Sequence, residues 1–167
     1  MTARDALIAV ATLLAPDVPQ VRDRAAAAHD DPAAYLREHI DRLDERGIDE
    51  PFAGLAWIAL VDALTDHELL AEVDWKEAPD EIAGRLRVLR SAPPADEIWT
   101  SLAEAELPTF EFLELAGKRL AGVGTALAVL DIESDCYPLV LLPSARAGDL
   151  PGLAAAAGFK AGVLESS

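Results

Sequence analysis

Three carboxylates at alternate positions, Asp131, Glu133 and Asp135, form the densest candidate chemistry in this chain. In an extended segment alternate side chains share a face, so the three could converge on a divalent cation, with Ser134 inside the run and Tyr137 just beyond it as hydrogen-bonding partners. A cation with open positions activates water, so metal-assisted hydrolysis or small-ligand binding at the Asp131/Glu133/Asp135 cluster is one expectation. A helix-loop-helix calcium site is excluded by spacing. Counted from Asp131, its sixth place requires Gly and its twelfth Glu, whereas the chain has Cys136 and Leu142. The plainer expectation is a tight turn bracketed by Asp131 and Asp135, in which Ser134 and Asp135 bond nearby backbone amides.

The remaining reactive side chains are scattered. Cys136 sits among acids that oppose a thiolate, so a structural thiol is expected rather than a nucleophile. His29, His39 and His67 lack metal-ligand spacing, and His39 falls beside an apolar helical face, where a packed, hydrogen-bonded imidazole is the expectation. Trp75, in Asp74-Trp75-Lys76, lies between helical segments; it can plug the core, the favoured reading, or stand exposed for a partner. The chain has no Gly-x-Gly-x-x-Gly before a helix, no phosphate-binding loop, no His-Glu-x-x-His and no Gly-x-Ser-x-Gly elbow. No catalytic residue and no cofactor are assigned, and the reading leans away from an enzyme.

Composition narrows the class of partner. The 167 residues carry 30 acids against 14 bases, a formal net charge of −16. Nucleic-acid and anionic-membrane surfaces, which recruit clustered Lys and Arg, are excluded as expected partners, and a protein with a basic surface is favoured. The single cysteine cannot form an internal disulfide, the N-terminus makes a poor signal peptide, and no apolar run is long enough to span a bilayer, so a cytoplasmic location is expected. The Ala-rich, Arg-over-Lys usage hints at a GC-rich bacterial source. With 51% hydrophobic and only 5% aromatic residues, aliphatic side chains must supply most of the core.

The elements that position these groups are announced by helix-start signals in which Asp precedes Pro: Asp31-Pro32 directly, and Asp17-Val18-Pro19, Asp49-Glu50-Pro51 and Asp149-Leu150-Pro151 at one remove. They predict helices at about 3–15, 18–29, 32–46, 51–65, 79–91, 95–105 and 109–122. In the third, Tyr35, Leu36, His39, Ile40 and Leu43 form one apolar face, and Gly47 closes it. The run from Phe52 to Val61 is apolar all round and marks a central, protein-surrounded helix. Beyond Gly122, residues 125–132 and 137–142 read as a β-hairpin around the polar residues 133–136, with Pro138 expected at a sheet edge or strand start. A short helix capped by Asp149 and a strand at 159–164 then complete β-β-α-β, the last strand pairing parallel to the second.

The run Leu-Asp-Ile-Glu-Ser-Asp-Cys-Tyr-Pro-Leu-Val-Leu-Leu-Pro, from Leu130 to Pro143, resembles the signature of an uncharacterised bacterial family, domain of unknown function 6630, as does Asp74-Trp75-Lys76 followed by a helix. The resemblance covers about half the chain, chiefly residues 70–164, and leaves the N-terminal helices unmatched. It implies no activity, but it singles out Ser134, Asp135 and Tyr137. Cys136 stands where the family more usually has a small polar residue.

The sequence thus predicts one α+β domain over 1–167, predominantly helical, with about seven helices in the part up to residue 122 and a small β-β-α-β sheet over 123–164. The expected role is a cytoplasmic bacterial protein-interaction module, of the immunity type that neutralises a basic toxin. Metal-assisted hydrolysis or ligand binding is the alternative. Trp75, Asp131, Glu133, Ser134, Asp135 and Tyr137 are the candidate binding residues, and oligomeric state is left open.

Overall fold

A computed structural model of the protein describes residues 1–164. The first helix, α1 (Ala3–Leu14), opens on a capping box: the Thr2 hydroxyl accepts the Asp5 N–H at 3.0 Å while the Asp5 carboxylate accepts the Thr2 N–H. Helix α2 (Pro19–Asp30) has proline in its first turn, and α3 (Pro32–Glu38) is capped by Asp31, whose carboxylate accepts the Ala34 N–H at 3.1 Å. The single helix expected over 32–46 is two. His39 leaves helical geometry (φ −120°, ψ 28°), its ring centred 4.2 Å from that of Tyr35 and tilted by 30°, and α4 (Ile40–Glu45) begins after it. Ile40 is therefore 45% exposed instead of joining the Tyr35, Leu36 and Leu43 face. Gly47, at φ +76°, ends this stretch in the left-handed conformation that glycine tolerates.

Helix α5 (Leu55–Asp66) is the expected hub, buried at every position from Leu55 to Leu64. It starts later than the Asp49-Glu50-Pro51 signal suggested: Gly54 is its N-cap, and Phe52 stays outside, half exposed. Next comes an element the sequence reading did not contain, strand β1 (Leu70–Asp74), followed by α6 (Pro79–Arg87), α7 (Asp96–Ala103) and α8 (Thr109–Ala121). The expected hairpin is β2 (Thr125–Asp131) and β3 (Cys136–Pro143). The one-turn α9 (Ser144–Ala147), α10 (Leu150–Ala156) and β4 (Lys160–Val163) complete the described chain. Asp149 occupies the N-cap position of α10 without a side-chain capping bond, contrary to expectation, because its own backbone is already helical (φ −80°, ψ −20°).

The four strands form an antiparallel sheet in the order β1-β3-β2-β4. The expected parallel pairing of β4 with the second hairpin strand is corrected: β4 pairs antiparallel with β2, from Ala128 opposite Val163 to Asp131 opposite Lys160. β4 does run in the direction of β3, but β1 already fills that strand's free edge, so the crossover passes to the open edge of β2. Pro138 is likewise not on an edge strand. It faces Glu72 of β1, and the ladder between β3 and β2 ends at Leu139, one residue short of the proline, so its missing N–H falls where β2 no longer pairs.

Both sheet faces are buried. Leu70, Ala126, Ala128, Leu130, Val140 and Leu142 join the core of α1, α2, α5 and α10, while Ala71, Val73, Leu127, Leu139 and Leu141 join that of α6, α7 and α8. This three-layer arrangement explains why β2 and β3 read as continuous apolar runs rather than alternating ones.

Candidate functional site

The strand register gathers the chemistry-bearing residues at one end of the sheet. Asp74 ends β1 opposite Cys136, which begins β3, and Asp131 ends β2 opposite Lys160, which begins β4. The hairpin tip projects from that end.

Within the tip, the Glu133 N–H donates to Asp131 Oδ1 at 2.8 Å and the Cys136 N–H donates to Ser134 Oγ at 3.1 Å. Glu133 holds a left-handed backbone (φ +57°), costly for a residue with a Cβ and here fixed by its bond to Asp131. The expected turn is therefore formed, with one change: the carboxylate that accepts a loop amide is that of Asp131 rather than Asp135, which contributes its carbonyl. Asp131, Glu133 and Asp135 are all exposed, and among the described residues no three His, Cys, Asp or Glu side chains gather closely enough to hold a metal ion. Tyr137, half-buried, packs against the α6–α8 core. The Cys136 thiol is held above its ordinary pKa by burial and by the carboxylates of Glu72 and Asp74, which disfavours the thiolate that nucleophilic chemistry requires.

Trp75 corrects the expectation of a core position: it is 51% exposed. The Asp74–Glu77 turn holds it outward. Asp74 Oδ1 accepts the Lys76 N–H at 2.9 Å, Glu77 Oε1 accepts the Asp74 N–H at 3.0 Å, and Arg85 anchors the Glu77 carboxylate at 2.7 Å. The Trp75 N–H donates to the Asp135 carbonyl at 3.2 Å, and the Lys76 ammonium lies 4.8 Å from the centre of the indole.

On the β4 side of the tip lies a groove of about 730 Å³, lined by Phe52, Trp57, Phe159, Asp131, Glu133 and Lys160 among others. Its wall is the buried Trp57 ring, stacked on Phe159 with centroids 4.7 Å apart, and the Trp57 indole N–H donates to the Asp131 carbonyl at 3.0 Å. Phe52 lies against Gly54 so closely that a Cβ there would stand 2.6 Å from its ring. Sequence reading missed this groove because its residues come from three distant segments.

The two segments joined by Trp75 and Asp135 belong to one sequence family, and its match extends well beyond them: the profile of Domain of unknown function (DUF6630) covers residues 6–164. The chain belongs to the DUF6630 family. The N-terminal helices, unmatched in the sequence reading, are thus part of the family unit. The chain matches no curated protein and no solved structure.

This DUF6630 chain also carries a polar network that sequence reading overlooked. Asp62, in the middle of the hub helix, is 1% exposed and accepts from Arg46 at 2.7 Å, with Arg42 3.5 Å away. Arg46 also pairs with Glu72 of β1 at 2.7 Å, while Asp66 receives Arg42 and, at 2.6 Å, Arg24. Burial opposes the Arg46 charge, but its two carboxylate partners prevail and raise the guanidinium pKa above its ordinary value. Each ion has an opposite partner, so the network clamps α2, α4, α5 and β1 together. The available signal was Asp62, an aspartate directly after the apolar run that ends at Val61.

Proposed function

We propose that the sheet end bearing Trp75 and the aromatic groove is a docking face for another protein with a basic surface, in a bacterial, cytoplasmic protein of the immunity type. The observation that carries this reading is the placing of two large aromatics, Phe52 at 48% and Trp75 at 51% exposure, at one sheet end beside the exposed carboxylates of Asp131, Glu133 and Asp135. Aromatic rings of this size serve as anchors in protein interfaces, and surrounding carboxylates steer a basic partner into register. A second copy of the chain is a poor occupant, because two molecules of net charge −16 repel each other. No described helix is long and apolar enough to cross a membrane.

The test is affinity capture from cells of the source organism with the full chain, Trp75→Ala and Phe52→Ser, at low and at physiological salt. A basic protein retained by the unaltered chain, held less tightly as salt rises and lost on either substitution, supports docking at this face. Capture that no substitution here affects, or no specific partner under either condition, overturns it. The alternative, metal-assisted hydrolysis or small-ligand binding at Asp131, Glu133 and Asp135, is tested separately by calorimetry with magnesium, manganese and calcium. Heat that Asp131→Asn and Asp135→Asn abolish would favour it.

A further inference from the structure

The sheet order leaves β4 at an outer edge. Its ladder with β2 runs from Asp131 opposite Lys160 to Ala128 opposite Val163, and just beyond it the Leu164 N–H donates to the Leu127 carbonyl at 2.8 Å. In an antiparallel ladder the bonding residues alternate. Lys160, Gly162 and Leu164 therefore turn their main-chain groups toward β2, and Ala161 and Val163 turn theirs away from it. Among the described residues, the main chain of Ala161 and Val163 has no main-chain partner on that outer side. Edge strands are ordinarily blunted by a proline, a bulge or a charge. Ala161, Gly162 and Val163 hold unbroken register and carry none of these; only Lys160, the first residue of the strand, is charged. All three are partly exposed, whereas the other outer strand, β1, is buried at Leu70, Ala71 and Val73.

The aromatic groove adjoins this edge on one face. Phe159, Ala161 and Val163 alternate along the chain and pack toward the core of α1, α2, α5 and α10, and Phe159 lines the groove with Phe52 and Trp57. The other face is open: a Cβ at Gly162 would meet nothing within 4 Å.

We propose that β4 is a site of strand addition, where an extended basic segment of the partner protein pairs its main chain with Ala161 and Val163. Alternate apolar side chains of that segment lie beside Phe159 in the groove, and the intervening basic ones lie on the open face. This mode of binding rests on the docking face proposed above and specifies the form the partner takes there. Outward N–H and C=O groups along a strand are matched by another peptide main chain, and the pockets beside them select its alternate side chains. At the start of the strand the exposed carboxylates of Asp131 and Glu133 outnumber the single charge of Lys160 and favour basic residues. A second copy of the chain fits poorly. Its own edge offers Ala161, Gly162 and Val163, too small to fill a groove of about 730 Å³, and it brings a like net charge of −16.

The experiment follows amide hydrogen exchange of the full chain by NMR. In the free protein Ala161 and Val163 exchange at least about ten-fold faster than Gly162 and Leu164, which are bonded to β2. The probe is a blocked peptide alternating lysine with valine and one phenylalanine. It protects Ala161 and Val163 saturably, and the same peptide with glutamate for lysine binds at least about ten-fold more weakly. Methylating one alternate set of its main-chain nitrogens, the set facing β4, weakens binding at least about ten-fold, while methylating the other set leaves it unchanged. Ala161→Pro, which removes an N–H that β2 does not use, abolishes the protection of Val163 by the peptide and keeps the circular dichroism of the parent. Equal exchange at the four amides, no added protection from the peptide, or the two methylated peptides binding alike overturns strand addition. In the capture experiment above, a partner lost on Trp75→Ala and Phe52→Ser but retained by Ala161→Pro leaves the docking face standing and overturns strand addition alone.

Discussion

The indole N–H of Trp57 donates to the main-chain carbonyl of Asp131 at 3.0 Å, tying the buried hub helix to the last residue of β2 and to the base of the hairpin tip. Trp57→Phe keeps most of the ring but leaves that carbonyl without its donor. We expect a loss of about 1–3 kcal/mol, the cost of an unpaired, partly buried polar group. Urea denaturation with an unchanged slope measures it, and a variant as stable as the parent would show that the bond carries nothing.

Asp62→Asn removes the buried charge that faces Arg46 and Arg42. Breaking one partner of a buried pair destabilises by about 3–5 kcal/mol, and we expect the lower part of that range because Arg46 keeps Glu72. Asp30→Asn is the control: its pair with Arg4 is half exposed, so a small change is expected. Similar midpoints for the two variants in urea would contradict the clamp.

Two groups in and beside the buried ion network contribute to the acid side of the stability profile. His39 is held below its ordinary pKa of 6.5 by burial and by the charge of Arg24. At Asp66 burial acts upward, but hydrogen bonds from Arg24 and Arg42 prevail and take the carboxyl below its ordinary 3.8. In both cases the folded value lies under the unfolded one, so the unfolded chain binds more protons on acidification. The stability each contributes is present above the unfolded value and is lost as pH falls through the folded one. The urea midpoint should therefore drop as pH falls below about 6.5 through His39, then again below about 3.8 through Asp66. His39→Gln should flatten the first step and leave the second.

Gly117 of α8 lies under the chain just past β4, where a Cβ would stand 1.8 Å from the Leu164 carbonyl oxygen. Alanine favours a helix over glycine by about 1 kcal/mol, yet here the contact is with backbone that must move, so Gly117→Ala should lower the melting temperature. Gly84→Ala in α6 meets nothing within 4 Å and should raise stability by up to about 1 kcal/mol. Opposite signs from one chemical change separate the close approach from helix propensity; equal signs would refute it.

Particular residues mark how far sequence reading reaches. Asp31-Pro32 and Gly47 act within one turn of chain, and the helix ends they announce are where they were expected. The polar turn at 133–136 was equally legible, because Ser134 and Asp131 bond amides two residues away. Strand β1 was not. Its five residues carry Glu72 at their centre, which breaks any apolar run, and that glutamate is accommodated only because Arg46 meets it. Trp75 was expected inside for a similar reason, since its outward placement depends on a turn held by Glu77 and Arg85.

The sequence by itself determined the local elements: the helix capped by Asp31, the apolar run of the hub helix from Leu55 to Val61, the hairpin and its tight tip, and the acidic net charge. Tertiary structure alone decided which strand edge β4 would take, which aromatics would stay outside, and that Phe52, Trp57, Asp131 and Phe159 would share one groove. The physical reason is range. Caps, turns and helical periodicity are satisfied by neighbours along the chain, whereas a strand edge, a buried ion pair or a cavity is defined by residues that only the completed packing brings together.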